Sequence, residues 1–327
     1  MMTTLNLGIV GCGHVVLNAH LPILKVLKDI KIKWVLDPNP QEVELLSYLK
    51  IPRISSIDQL EDFPKTDIVL LTSPYGSRPP IFNSIKGKVN GIYCEKPFAK
   101  SVNEHIEITK DYPEYSFAIG YQRRSLGNIN IIKNIISDDI FGPLKGVKCE
   151  YGYHNISSGS FHSDFELSGG GILFESGVHW IDAMLYSINP SDIEKQAVNI
   201  IYHDKLDVHT DASFSIRLED DNEINCDIII SHLKETADKI TYIFEDVEVD
   251  LYLYNENDPP VVIPHKNNKK TYEVKNFLSE VLPNTSFGQG AIFWKDYIDS
   301  FINKKVSYTN ASQSILTTKT VEQIYNS

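Results

Sequence analysis

The sequence predicts a doubly wound α/β domain built on a parallel sheet, followed by an α+β domain with an open, mostly antiparallel sheet. Three observations predict this. At 327 residues the chain is longer than one hydrophobic core usually supports. Up to about residue 120, short apolar runs alternate with helical patterns, as in parallel sheets covered on both faces. Later runs are rich in β-branched and aromatic residues, which favours antiparallel strands.

In the first domain, assigned to 1–121, strands are predicted at 5–10, 32–36, 67–71, 91–94 and 116–119, and helices at 17–27, 41–49, 77–85 and 102–110. In the second domain, assigned to 122–327, strands are predicted at 145–153, 197–203, 212–218, 224–230, 240–244 and 248–254. Its helices are predicted at 128–136, from the Gly169–Gly171 triplet to about 186, and at 271–281, 292–302 and 311–325. The polar stretch 255–270 is predicted to be an exposed loop, and the last helix is allowed to pack back on the first domain.

Composition and charge narrow the function classes. The net charge of -12 argues against a nucleic-acid partner, and no apolar run is long enough to span a bilayer. The N-terminus shows no signal-peptide pattern, so we expect a cytoplasmic protein. The four cysteines are too few and too widely spaced for a disulfide scaffold or a zinc site. We expect reduced core thiols and no metal.

A glycine-rich turn, Gly-Cys-Gly-His-Val-Val at 11–16, follows the first predicted strand and precedes a helix. Gly11 permits a tight turn, Gly13 allows a pyrophosphate to approach the backbone, and Asp37 lies about 20 residues further on, where a ribose diol is bound. This pattern predicts a Rossmann-type dinucleotide site. The acidic Asp37 favours NAD over NADP, although Asn39 leaves NADP open. The alternative interpretation is a structural turn with no ligand.

Two further motifs carry candidate catalytic residues. Glu95-Lys96-Pro97 follows a predicted strand, at the sheet edge where open α/β sheets bind ligands, so Lys96 would stabilise a developing alkoxide. Glu175 and His179 are spaced i and i+4 on a predicted helix, so the carboxylate would orient a histidine that acts as a general base. The alternatives are a surface lysine beside a turn and a buried structural histidine.

In order and spacing, these motifs resemble the glucose-fructose oxidoreductase, inositol dehydrogenase and rhizopine-catabolism (Gfo/Idh/MocA) family. The resemblance also includes His20-Leu21-Pro22, the stretch 120–124, and the aromatic stretch 293–297. It implies hydride transfer at a sugar or cyclitol carbinol and a homodimer or homotetramer formed through the second domain's sheet. No membrane partner is expected.

The resemblance assigns roles to particular positions. The catalytic residues would be Lys96, His179 and Glu175. The cofactor-binding residues would be Gly11, Gly13, His14, Val15, Asp37, Thr72, Ser73, Pro74, Glu95, Lys96 and Gln122. The substrate-binding residues would be Lys96, Tyr121, Arg124, Asp164, Glu175 and His179.

Three positions depart from the family pattern. Glu175 stands where aspartate is usual, Arg78 stands where the family commonly has histidine, and Val16 replaces the third glycine. The first two departures leave the identity of the substrate and the detailed geometry open. Two other functions also stay open. One is a relative that uses bound nicotinamide during glycoside cleavage, and the other is a non-enzymatic regulator that senses cofactor or sugar.

Overall fold

The computed structural model describes residues 4–44, 46–62, 64–154, 161–254, 259–265 and 288–327. In chain order its strands are β1 (Leu5–Val10), β2 (Ile30–Leu36), β3 (Arg53–Ile54), β4 (Ile68–Leu71), β5 (Gly91–Cys94), β6 (Phe117–Ile119), β7 (Gly146–Gly152), β8 (Asp192–His203), β9 (Leu206–Arg217), β10 (Glu223–Ser231), β11 (Lys239–Ile243), β12 (Val247–Leu251) and β13 (Val261–Pro264). Its α-helices are α1 (Leu21–Val26), α2 (Pro40–Glu44), α3 (Arg78–Ile85), α4 (Val102–Thr109), α5 (Gly127–Ser137), α6 (Phe165–Ser168), α7 (Val178–Ile188), α8 (Gly288–Asn303) and α9 (Ile315–Tyr325). The described residues form two compact units, the first from 4–120, 166–169 and 288–313, and the second from 121–165, 170–265 and 314–327.

The first unit contains a six-stranded parallel sheet with the order β3-β2-β1-β4-β5-β6. This is the order of dinucleotide-binding Rossmann domains, with its topological switch point between β1 and β4. β1, β4 and β5 are almost entirely buried, which explains why they read as continuous apolar runs. The predicted doubly wound α/β domain is confirmed.

The helix after β1 begins with a π turn, Val16–His20, which continues directly into α1. Periodicity predicted a regular helix over 17–27. Pro22 has no N–H to donate to the Asn18 carbonyl, as a regular α-helix would require. The preceding residue, Leu21, donates its N–H to Val16 O, five residues earlier, which is the hydrogen bond of a π turn. The proline therefore accounts for the wider turn.

α8 belongs to the first unit, whereas the predicted division assigned the whole of 122–327 to the second domain. Phe293, Trp294 and Tyr297 are fully buried, and the Trp294 ring stacks on that of Tyr93 from β5, with the ring centroids 4.4 Å apart. The pattern of α8 indicated an apolar face but not which sheet it would cover. α9 lies in the second unit, where Ile324 joins the core.

The second unit contains a seven-stranded sheet with the order β13-β12-β11-β7-β10-β9-β8. β7 and β10 pair in parallel, and the other pairs are antiparallel. α5, α7 and α9 pack with this sheet around a core that includes Ile132, Trp180 and Ile324. The open, mostly antiparallel sheet is confirmed.

The interpretation of 255–270 as a loop is wrong for part of its length, because β13 pairs with β12 as an edge strand. Its sequence, Val-Val-Ile-Pro, is apolar, but the run is only four residues long, contains a proline and lies between polar segments, so it was not recognised as a strand. The helix predicted at 271–281 lies outside the described residues.

Within the described ranges, no helix is both long enough and apolar enough to cross a membrane. The same residues contain no group of three or more His, Cys, Asp or Glu side chains arranged to hold a metal ion. All four cysteines are buried and free of disulfides. Burial, together with the nearby Asp37 carboxylate, raises the pKa of Cys12 to about 12, so this thiol is a poor nucleophile.

Candidate functional site

The turn between β1 and the first helix lies against the end of β4, at the switch point of the first sheet. Gly11 has φ +91°, and a Cβ there would come within 2.7 Å of Ser73 N and Thr72 Oγ1. Thr72 Oγ1 donates to the Gly11 carbonyl at 2.8 Å. The glycine turn and the segment 72–74, both predicted from the sequence to bind cofactor, therefore lie together.

Two features of this turn fit a dinucleotide. A Cβ on Gly13 would meet nothing within 4 Å, so its backbone is open to an approaching diphosphate. Ser73 Oγ is buried and has no hydrogen-bond partner among the residues that the structure describes. A bound ligand would satisfy this hydroxyl, because buried polar groups are normally hydrogen-bonded. His14 and Val15, at the start of the helix, are exposed.

Asp37 follows β2 and accepts two backbone hydrogen bonds, one from Cys12 N at 2.7 Å and one from Asn39 N at 2.8 Å. Its carboxylate therefore ties the end of β2 to the glycine turn. A carboxylate offers about four acceptor positions, so a ribose diol could still be bound there.

Alanine at the two turn glycines is expected to separate folding from ligand binding. Gly13→Ala should leave the melting midpoint unchanged and weaken NADH binding about tenfold or more, a loss of roughly 1.4 kcal/mol. Gly11→Ala should also lower stability by about 1–3 kcal/mol, because of its positive φ and close contacts. Thermal melting and NADH fluorescence titration measure both effects. Gly87→Ala is the matched control, since its φ is +72° with no neighbour within 4 Å; it should lower stability only. Unchanged binding in Gly13→Ala would contradict the assignment of this turn.

Glu95, at the carboxyl end of β5, is held by a buried chain of side chains. Trp294 Nε1 donates to His20 Nδ1 at 2.9 Å, and His20 Nε2 lies 3.0 Å from Glu95 Oε1. Because Nδ1 accepts a hydrogen bond, the imidazole proton is on Nε2 and is donated to Glu95. This chain fixes the backbone immediately before Lys96, which is half-buried.

In the second unit, Asp207 anchors the segment that leads to His179. Its carboxylate accepts hydrogen bonds from Gly171 N at 2.6 Å, Leu173 N at 2.8 Å and Tyr325 Oη at 2.7 Å. A Cβ on Gly171 would lie 1.9 Å from the Asp207 carbonyl oxygen, which explains a glycine there. Burial raises the pKa of Asp207, and the three donors act in the opposite direction.

Glu175 lies in a π turn, Leu173–Gly177, that precedes α7. Its carboxylate is 3.9 Å from His162 Nδ1. Burial raises the pKa of Tyr153, and the charge of Glu175 adds to this rise. Burial lowers the pKa of His232, and the charge of Glu175 opposes that effect. Tyr153 and His232 are ring neighbours with centroids 4.9 Å apart. Sequence reasoning missed His162, Tyr153 and His232, because they come from three separate segments.

His179, on α7, is half-buried, and its ring is 6.3 Å from that of Tyr121 in an edge-to-face arrangement. The family resemblance predicts that both residues bind the substrate. Gln122 is half-buried and Asp164 is exposed. Lys96 belongs to the first unit and His179 to the second. Their approach to one substrate carbon therefore stays a prediction.

Arg124 forms a buried, bidentate ion pair with Asp182. The guanidinium donates at 2.8 and 2.6 Å, and Thr317 also donates to this carboxylate at 2.9 Å. The two charged side chains are 3% and 0% exposed. These contacts join α7 to α9 and to the turn after Tyr121. The guanidinium of Arg124, which was predicted to bind substrate, is thus already paired with Asp182.

Asp182→Asn is expected to lower the free energy of unfolding by about 3–5 kcal/mol, because it leaves the Arg124 charge buried without a partner. Urea unfolding measures this loss. Asp192→Asn is the matched control, since Asp192 pairs with Lys319 at 2.7 Å but is 34% exposed. We expect a loss below about 1 kcal/mol for the control. Equal losses in the two variants would contradict this account of the buried pair.

The fold and the switch-point turn define a dinucleotide-binding protein of the Rossmann class. Two family models match the chain, the oxidoreductase family with an NAD-binding Rossmann fold over residues 5–116 and the GFO/IDH/MocA C-terminal domain over residues 129–244. The chain belongs to the GFO/IDH/MocA oxidoreductase family. The resemblance seen in the sequence motifs is confirmed.

Two curated relatives match part of the chain. Glucose-6-phosphate 3-dehydrogenase of Bacillus subtilis (strain 168) is 28% identical over 152 residues, which are 45% of this chain and 42% of that protein. The rhizopine catabolism protein MocA of Rhizobium meliloti is 25% identical over 186 residues, which are 56% of this chain and 57% of that protein. The matched segments thus span about half the length of each relative.

A solved structure is similar over nearly the whole chain. The WlbA dehydrogenase from Bordetella pertussis, in complex with NADH and UDP-GlcNAcA, superposes with a TM-score of 0.78 at 15% identity. The match covers 99% of this chain and 95% of that one. At this identity the likeness shows the fold.

Proposed function

We propose that this protein is an NAD(P)-dependent oxidoreductase that transfers hydride between nicotinamide and a sugar or cyclitol carbinol or its ketone. The observation that carries the proposal is the glycine turn at the switch point of the first sheet, where Gly11 lies against Ser73, the Gly13 backbone is open and the buried Ser73 hydroxyl has no partner among the described residues. A diphosphate is the ligand that such a turn suits. The solved WlbA complex with NADH and UDP-GlcNAcA and the B. subtilis sugar-phosphate dehydrogenase support the reaction class.

In the proposed mechanism, Lys96 and His179 flank the reacting carbinol. During oxidation an imidazole nitrogen of His179 takes the hydroxyl proton, and the ammonium of Lys96 stabilises the developing alkoxide. Both roles reverse in reduction. Bound nicotinamide supplies the hydride acceptor or donor. Most of the catalytic effect would come from positioning these two groups against the substrate.

The substrate would be bound by polar and aromatic side chains of the second unit. Glu175 would orient His179 or accept a hydrogen bond from a neighbouring hydroxyl. Its proximity to His162 and its electrostatic effect on Tyr153 and His232 support a polar wall around it. Imidazole and phenol groups both donate and accept hydrogen bonds, as a polyol requires. Tyr121, Asp164 and Arg124, whose guanidinium is paired with Asp182, would also belong to this wall.

NAD is the preferred cofactor in this proposal, and NADP is the alternative. Asp37 would repel a 2'-phosphate and accept the ribose hydroxyls. We further propose a cytoplasmic homo-oligomer formed through the sheet of the second unit. β8 is an edge strand of this sheet, and Ile201 and Tyr202 near its end are 44% and 51% exposed.

The deciding experiment is a panel of sugars, cyclitols, sugar phosphates and nucleotide sugars, offered with NAD and NADP in parallel. The readout is the absorbance of reduced nicotinamide at about 340 nm. Turnover with at least one substrate supports the proposal. Cofactor that binds in titration but never changes redox state across the panel would instead favour a sensing regulator. Glycoside cleavage with no net change in cofactor would favour the glycoside-cleaving alternative.

A further inference from the structure

Arg78 is a buried arginine at the start of α3, and its guanidinium joins two loops of the proposed cofactor edge. The residue is 3% exposed. Nε donates to Ser73 O at 2.9 Å, and Nη1 donates to Pro97 O. Ser73 follows β4, and Pro97 comes directly after Lys96. One side chain therefore bonds the loop after β4 and the loop that carries the proposed alkoxide-stabilising lysine.

These bonds continue the connection between β4 and β5 beyond the end of their backbone ladder. The last strand pair is Leu71 with Cys94, and the Glu95 amide then donates to Leu71 O at 2.8 Å. Past this point Arg78 links the two loops through its side chain. Lys96 is thereby held on both sides, by the Glu95 amide before it and the Pro97 carbonyl after it.

The guanidinium donates hydrogen bonds to two backbone carbonyl oxygens. Within the described part of the chain it forms no ion pair with a carboxylate. Buried charges usually have an opposite charge beside them, because desolvation is expensive. Its field reaches the same sheet edge, since it acts to lower the pKa values of Cys94 and Tyr75 against the stronger effect of burial. A buried arginine at this place is explained if its guanidinium holds the two loops of the site in a fixed geometry.

We propose that Arg78 is a positioning residue that sets the place of Lys96 relative to the segment 72–74 by clamping the Ser73 and Pro97 carbonyls. This inference rests on the proposed function. Arg78 does not touch the reacting atoms in this account. A planar guanidinium suits the role because its N–H donors have a fixed fork geometry, whereas a lysine ammonium is a single point charge.

A cavity next to Arg78 makes the proposal testable by chemical rescue. The cavity has a volume of about 340 Å³ and is lined by Arg78 together with aromatic side chains that include Phe82, Phe98 and Tyr112. In Arg78→Ala, the deleted side chain would leave a space continuous with this cavity. Free guanidinium ion could enter there and restore the two carbonyl contacts.

The experiment compares Arg78→Ala, Arg78→Lys and the control Arg53→Ala, which removes an exposed arginine paired with Glu44. Amide hydrogen exchange of residues 94–99 is measured without cofactor or substrate, and kcat and KM are measured with the substrate found in the panel. Arg78→Ala should exchange about 10- to 100-fold faster in this segment. It should also lose about 10²-fold in kcat with a smaller change in KM, because Lys96 is displaced.

Millimolar guanidinium should restore both quantities in Arg78→Ala, whereas methylammonium should not, and neither ion should affect Arg53→Ala. Failure of guanidinium to restore either quantity overturns the proposal, as does wild-type exchange of 94–99 in the folded variant. If Arg78→Ala does not fold, Arg78→Lys is read in the same way: faster exchange with lower kcat supports the clamp, and wild-type values overturn it. An inactive wild type would refute the proposed function, whereas the exchange measurement would still test the clamp.

Discussion

His179→Gln is expected to lower kcat about 10²- to 10⁴-fold, because glutamine retains a polar side chain but cannot take the substrate proton. NADH affinity should stay near the wild-type value, since the glycine turn is in the other unit. The pH dependence of kcat/KM should lose the limb that comes from an imidazole, which ordinarily titrates near neutral pH. Steady-state kinetics from acid to alkaline pH and a fluorescence titration measure these effects.

His203→Gln is the matched control for this variant. His203 lies at the end of β8 with its side chain 61% exposed, and we expect wild-type kinetics for the substitution. Turnover by His179→Gln within a few-fold of wild type would refute the assignment of the general base. A similar loss of kcat in His179→Gln and His203→Gln would indicate a general disturbance of the second unit.

Lys96→Met is expected to lower kcat about 10²- to 10³-fold by removing the cation that stabilises the developing alkoxide. Methionine preserves most of the side-chain volume, so the melting midpoint should change little. Binding of NADH should weaken less than kcat falls, because the diphosphate is held at the glycine turn. Arginine at this position should restore little activity, since its guanidinium is larger and differently directed.

Lys86→Met serves as the control for Lys96→Met. Lys86 is an exposed lysine of the same unit, with its Nζ 2.5 Å from Asp111 Oδ2. Its removal should leave kcat unchanged. A Lys96→Met protein with wild-type kcat would leave the proposed chemistry without its alkoxide-stabilising group. A joint loss in Lys96→Met and His179→Gln, both with intact folding, would support the paired roles.

The local pattern of apolar residues was sufficient to predict most strands of the first sheet. β1 and β5 were predicted with their observed ends, because a strand buried on both faces reads as one apolar run between turn residues. β3 was not predicted, since two residues carry no periodicity, and the half-exposed β13 was masked by polar neighbours. The π turn at Leu173–Gly177 was also missed, although spacing had indicated a helix there.

Part of the candidate site could also be predicted from local sequence. Gly11 and Gly13 could be found from the sequence because their role depends on backbone freedom immediately after a strand. The partners of Asp207 and Glu95 could not, because each comes from a distant part of the chain. Glu95 contacts His20 from 75 residues earlier in the chain, and Trp294 reaches His20 across 274 residues.

By itself, the sequence determined the two-domain architecture, the family and the glycine turn, since these depend on hydrophobic periodicity and on residues close together in the chain. Only the tertiary structure decided that Asp207 anchors the segment after the Gly169–Gly171 triplet, and that Asp182 pairs with Arg124. These contacts join residues 34 to 118 positions apart. Over such separations sequence spacing carries no geometric information, and packing of the folded chain alone sets which groups meet.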